Sequence, residues 1–266
     1  MLGKLIKYDL KSMFRSLLPV CGAFIVVGFL AGISFPNTID SDTTSGVVLL
    51  WGTILFALIA LTVAVSIISL IIVITRFYKN LLGNEGYLSF TLPVTTGTHL
   101  AAKCISGYIA FALAVISGII SYGLFAVFAC ARTGDLDEIG EFFNGIFTAI
   151  AEFASAQMHY AVVFVLMAIV STIMALIKIY FSIMIGHQAS DHKILMSFVA
   201  YIVITIIESV ISNIIGMVFI GVGVFASLFG EMTFAFAVTT LILNTVLTIG
   251  YIFGTYYLLN NRLNLE

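Results

Sequence analysis

Charge is scarce in this sequence. Only 9% of its 266 residues are Asp, Glu, Lys or Arg, while 61% are hydrophobic. A soluble domain carries about 25% charged residues, so the chain cannot furnish a water-facing shell and reads as an integral membrane protein. The net charge of -2 supplies no basic surface for nucleic acid. Cysteine is sparse as well: Cys21, Cys104 and Cys130 lie in or beside apolar runs without paired spacing. That argues against a disulfide framework and against a zinc site. No GxxxxGK[ST] loop occurs, so the chain lacks the usual means of hydrolysing nucleotide. No Ser-His-Asp, HExxH or paired-carboxylate set can be argued from spacing, and no enzyme activity is expected. Nor do the two halves carry matching broken helices, the mark of many ion-coupled transporters. Energy for uphill transport would have to arrive through another chain.

What is abundant is apolar sequence in long runs. A spanning helix needs about 20 mostly apolar residues, and six segments qualify: roughly 17–35, 48–75, 104–130, 158–186, 194–217 and 237–259. The expected fold is therefore an all-α integral membrane protein of one domain with six transmembrane helices. The stretch GMVFIGVGVFASLFGEMTF, between the last two, is too apolar for an ordinary loop and too short for two spans. It reads as a re-entrant outer hairpin, with a seventh span as the competing reading. The first apolar run is long and has no small-x-small site before SFPNTID, so it reads as a retained span and not a cleaved signal.

Positive charge sets the orientation. With six spans, Lys4, Lys7, Lys11, Arg15, Arg76, Lys79, Lys103, Lys178, Lys193 and Arg262 fall on or toward one side, and Arg132 alone lies opposite. Basic residues favour the cytoplasmic side, so both termini are expected in the cytoplasm of a cell-membrane protein. In residues 1–16, Lys4, Lys7, Lys11 and Arg15 share one helical face and Ile6, Leu10 and Met13 the other, continued by Leu17. That pattern predicts an interfacial helix against anionic lipid heads. In the outer loop 131–157, Glu141, Asn144, Thr148, Glu152 and Ser155 form a polar stripe opposite Ile139, Phe142, Phe143, Ile146, Ile150 and Phe153. This predicts a surface helix. GFLAG (Gly28 to Gly32) and GYIFG (Gly250 to Gly254) allow close helix packing, within one subunit or between two copies.

Two ionisable side chains fall inside spans. Glu208 lies about 14 residues into its span, roughly 21 Å, and Lys178 about nine residues, roughly 14 Å, from the end of its own. They either pair or share a polar cavity, or Lys178 snorkels to the interface while Glu208 approaches the opposite one. Snorkelling is the preferred reading. His187, Asp191 and His192 in GHQASDHK lack a further ligand at helical spacing, so no metal site is expected there.

The apolar pattern also breaks at 76–100, a segment that begins RFYKNLLGNEGYLSFTLPVT and runs to Leu100. Leu81 and Leu82 offer apolar anchors, and Gly83 and Gly86 permit a tight turn around Asn84 and Glu85. Glu85 can accept charge-assisted hydrogen bonds. Tyr87 and Phe90 are of the aromatic type enriched in interface cores, and Pro93 ends the element. On these residues alone, a loop resting its aromatics on the membrane is the simpler reading. MLGKLIKYDLKSMFRSLLP, RFYKNLLGNEGYLSFTLPVT and IGHQASDHKILMSFVAY, however, resemble the permease subunits of type-2 ATP-binding-cassette exporters, the small six-span kind of Gram-positive bacteria. The resemblance covers essentially the whole chain.

It implies two permease copies, identical or related, on separate nucleotide-binding ATPase subunits that hold ATP and Mg; this chain binds no cofactor itself. It implies further that 76–100 forms a cytoplasmic coupling helix whose docking residues are Leu81, Leu82, Gly83, Asn84, Glu85, Gly86, Tyr87 and Phe90, and that Gly216 to Phe234 is the outer hairpin. Membrane lipids are the other partners. The expected function is a permease exporting an amphipathic or hydrophobic peptide, drug or lipid-like molecule. The alternatives are an ion- or proton-coupled transporter using Glu208, or a non-transporting immunity or scaffold protein.

Overall fold

A computed structural model describes residues 2–34, 45–83, 86, 91, 94–133, 140–141, 144–145, 147–149, 151–152, 155, 158–189, 192–226 and 232–261. Among these residues there is no strand, and six helices are long and apolar enough to cross a membrane. They are α1 (Leu2–Ile33), α2 (Ser45–Phe77), α3 (Thr96–Thr133), α4 (Met158–Gly186), α5 (Lys193–Ala226) and α6 (Met232–Asn261). The chain is a multi-pass helical membrane protein by this architecture, and α4 has the bounds its hydropathy predicts. The chain divides into two compact units: residues 3–76 with 109–152, and residues 1–2, 77–108 and 153–266.

In the first unit, α1 buries Met13, Leu17, Cys21, Phe24, Gly28, Ala31 and Gly32, a stripe at three- and four-residue spacing. Lys4, Lys7, Lys11 and Arg15 are exposed on another face, as their spacing predicts. No break separates residues 1–16 from the first span. The helix is continuous through Pro19, which has no N–H to give the Arg15 carbonyl.

The GFLAG motif is used inside the chain. A Cβ on Gly28 would overlap the Ser121 side chain and carbonyl, and one on Gly32 would lie 2.8 Å from Phe128 Cβ. That closeness lets Ser121 Oγ donate to the Phe24 carbonyl at 2.9 Å. It also brings Phe29 edge-on to Phe128, with ring centroids 4.7 Å apart. In the outer segment, Glu141, Asn144, Thr148, Glu152 and Ser155 are helical and exposed, and so is Phe147. The whole apolar stripe expected there, Ile139, Phe142, Phe143, Ile146, Ile150 and Phe153, lies outside the described residues.

In the second unit, α4 is the central helix. It buries Met174, Leu176, Ile177, Tyr180, Ser182, Ile183 and Met184, all toward its C-terminal end. There it meets α5 so closely that a Cβ on Gly186 would overlap the Ser197 backbone. GYIFG is half used: a Cβ on Gly254 would sit 2.5 Å from the Phe181 ring, whereas Gly250 faces open space.

The turn between α4 and α5 ends at His192, whose φ is 54°. A left-handed residue with a Cβ costs about 1–2 kcal/mol, part of which glycine would give back as backbone entropy. His192→Gly is expected to stabilise the protein by about 0.5 kcal/mol, read as a small rise in thermal midpoint in detergent.

Helix α5 is unusual in what it buries. Over residues 193–218 Glu208 alone is buried, while Ile194, Phe198, Ile206, Ile214 and Met217 are exposed. The helix runs 34 residues without interruption to Ala226, about 51 Å at 1.5 Å per residue. A bilayer core is about 30 Å thick. The first part of the expected hairpin therefore continues α5, α6 begins at Met232, and 227–231 lie outside the described residues.

Candidate functional site

Two polar clusters occupy the second unit, and the deeper one gathers the charges that snorkelling would have kept apart. Lys178 Nζ on α4 donates to Glu208 Oε2 on α5 at 2.6 Å. The side chains are only 12% and 11% exposed. Tyr251 on α6 donates its hydroxyl to the other carboxylate oxygen at 3.1 Å. The ammonium also lies 5.3 Å from the centre of the Tyr201 ring, within cation–π range. Tyr201 precedes Glu208 by seven residues, two helical turns, so both face the same way.

The preferred reading of Lys178 is thereby corrected, for a directional reason. Helical side chains lean toward their own N-terminus. Helices α4 and α5 are antiparallel across the 187–192 turn, so Lys178 leans away from that turn and Glu208 toward it. Their backbone depths differ by about 10 Å, and the two side chains close that gap from opposite ends.

Both carboxylate oxygens accept a hydrogen bond, and the ammonium has an anion and an aromatic face. Glu208 is the one buried residue of α5 over 193–218, and its bonds to Lys178 and Tyr251 tie α5 to α4 and α6.

The second cluster lies where α2 ends. There α2 gives way to a π-helical turn, Tyr78–Leu82, closed by Gly83 N–H donating to the Tyr78 carbonyl at 2.9 Å. Phe77 stacks on Tyr180 of α4, centroids 4.0 Å apart and planes 7° from parallel. Tyr78 meets His187 edge-on at 5.9 Å. The Tyr180 hydroxyl donates to the Lys103 carbonyl on α3 at 3.3 Å. The end of α2 is thus tied to α4 through Phe77 and to the residue after α4 through Tyr78, and Tyr180 of α4 is tied in turn to α3. Tyr180→Phe keeps the ring and removes one long neutral hydrogen bond, so a loss of about 0.5–1 kcal/mol is expected, measured by thermal unfolding beside the wild type.

The expected docking residues divide. Leu81 and Leu82 are 1% and 6% exposed. They pack inside this chain, covered by its own residues. Gly86 is buried too, and its N–H donates to the Gly83 carbonyl at 2.8 Å, consistent with a tight turn. Asn84, Glu85, Tyr87, Phe90 and Pro93 lie outside the described residues, as does Asp191. His187 is buried beside Tyr78, and His192 is exposed on its turn.

No family model matches the chain, and no curated protein or solved structure matches it significantly. The functional reading rests on the residues themselves. Sequence reasoning missed Tyr201 and Tyr251; the seven-residue spacing from Tyr201 to Glu208 was the signal for the first, and Tyr251 carried none.

Proposed function

We propose that the chain is the membrane-spanning permease subunit of an ATP-driven exporter. Two permease copies would work with separate ATPase subunits that hold ATP and Mg, moving an amphipathic or hydrophobic molecule out of the cell. The observation that carries this reading is the tied end of α2. A force applied to the 76–100 segment from outside the membrane would pass into α4 through the Phe77–Tyr180 stack and the Tyr78–His187 contact, and from Tyr180 on to the Lys103 carbonyl of α3. A transport subunit with no nucleotide site of its own needs such a lever.

With Leu81, Leu82 and Gly86 turned inward, contact with the ATPase falls to Asn84, Glu85, Tyr87 and Phe90, with Gly83 at the start of the turn. Both termini are placed in the cytoplasm of a cell-membrane protein. The surplus of α5 beyond Val218, with the start of α6, forms the outer re-entrant element.

The test is a mild-detergent pulldown of the tagged protein from its native membranes, with mass spectrometry of the bound chains. Wild type should capture a P-loop ATPase, and Glu85→Ala with Tyr87→Ala should lose most of it. An ATPase held equally by both would put the docking surface elsewhere. Absence of any ATPase would sink the exporter reading.

A second reading is favoured by one observation, the buried Lys178–Glu208 pair, because intramembrane ionisable groups commonly mark ion and proton paths. Under it, the purified chain alone would drive proton-coupled uptake in liposomes, and Glu208→Gln would abolish that uptake.

A further inference from the structure

The first unit contains a groove of about 720 Å³ between α1, α2 and α3, within the 300–1,000 Å³ range of ligand pockets. Its walls are apolar and aromatic, with Phe24, Val65, Phe111 and Phe125 among them. Phe24 and Val65 also divide it from a smaller cavity of about 300 Å³. Two glycines keep it open. A Cβ on Gly123 would meet nothing within 4 Å, and one on Gly118 would meet only the Phe24 ring, at 3.6 Å. Val115 and Ile119 of the groove's lining are exposed, part of the apolar surface that hydrocarbon covers in a bilayer.

Three hydroxyls interrupt this apolar lining, and their protons can be accounted for. Thr62 Oγ1 donates to the Leu58 carbonyl at 2.9 Å. Thr62 and Tyr122 hydroxyls are 2.7 Å apart; a threonine has one proton, so keeping both bonds makes Tyr122 the donor of this one. Ser66 Oγ donates to the Thr62 carbonyl at 2.8 Å. All three protons are spent within the protein. What the groove offers a ligand is acceptor lone pairs, on Tyr122 and Ser66 above all, and both side chains are exposed. Thr62 lies about 21 Å along α2 from Arg76, within the thickness of a hydrocarbon core. Neither water nor an acyl tail supplies a donor at that depth.

We infer that this groove is a binding site for a hydrocarbon-rich molecule carrying a single O–H or N–H donor, which meets the Tyr122–Thr62–Ser66 acceptors while its apolar body lies along Phe24, Phe111 and Phe125. The site stands independently of any ATPase partner. Its selectivity is for donors over acceptors, and it is set by Thr62, which consumes the Tyr122 proton.

The test uses the full chain in lipid nanodiscs, with a diazirine-bearing hexadecanol and its methyl ether as photolabels and labelled peptides identified by mass spectrometry. The alcohol should label α2 and α3 peptides around the groove about five-fold more than the ether, the worth of one neutral hydrogen bond. Gly123→Trp, which fills open space, should reduce that labelling to background; Gly123→Leu serves the same purpose if the tryptophan variant does not insert. Thr62→Val frees the Tyr122 proton to donate, so the ether should rise to parity with the alcohol. Equal labelling of the wild type by alcohol and ether overturns the inference. So does labelling that both Gly123 variants leave unchanged, or an alcohol preference that survives Thr62→Val.

Discussion

Lys178→Met lowers the stability of the protein by about 3–5 kcal/mol, the loss expected when one partner of a buried ion pair is removed and the other is left uncompensated. Glu208→Leu produces a loss of similar size. The double variant recovers most of it, because two apolar side chains of similar volume carry no desolvation penalty and suit a lipid-bathed helix. The geometry favours a large coupling: both side chains are nearly nine-tenths covered, and both carboxylate oxygens have donors.

Tyr251→Phe removes only the second of those donors. It should cost about 1.5 kcal/mol, since the acceptor is charged. Thermal unfolding of the wild type, the two single variants and the double variant in one detergent gives the double-mutant cycle directly. If the double variant were as unstable as the sum of the singles, the two groups would be uncoupled and the anchoring of α5 would have to be sought elsewhere.

Gly28→Ala is the second large effect, about 1–3 kcal/mol by overpacking. The added methyl carbon would land on the side chain and carbonyl of Ser121. The backbone cannot yield as the end of a flexible side chain could, so α1 must move away from α3. Separating them stretches the Ser121 bond to the Phe24 carbonyl and parts Phe29 from Phe128. Gly22→Ala on the same helix and Gly250→Ala on α6 meet nothing within 4 Å, and each should leave the midpoint unchanged or slightly raised. A Gly28→Ala protein as stable as the Gly22→Ala control would show that α1 and α3 are not closely packed at this point.

The six helices were legible because each is a long apolar run, a property of neighbouring residues alone. The contacts that matter were legible only in part, since they join residues far apart in the chain. Ser121 meets Phe24 across 97 positions, Tyr180 reaches Lys103 across 77, and Tyr122 meets Thr62 across 60. Lys178 and Glu208 were readable in principle. Their separation of 30 positions spans one short turn, and the lean of side chains toward the helix N-terminus decides between pairing and snorkelling. Depth along the helix axis was counted and that lean was not. The burial of Leu81 and Leu82 was hidden for another reason: apolar residues in a polar interruption look like anchors for a partner, and nothing local reveals that a π-helical turn points them inward.

That turn is a place where the chain can change its length. A π-helical turn holds one residue more per turn than an α-helix. Deleting a single residue from Tyr78–Leu82 would let α2 continue with ordinary four-residue bonds. The extra residue is taken up within that one turn, so the chain on either side would keep its rotation about the axis and only the residues inside the turn would move. A one-residue deletion here should therefore be tolerated better than one in the middle of α2, where each later side chain would swing by about 100° about the axis.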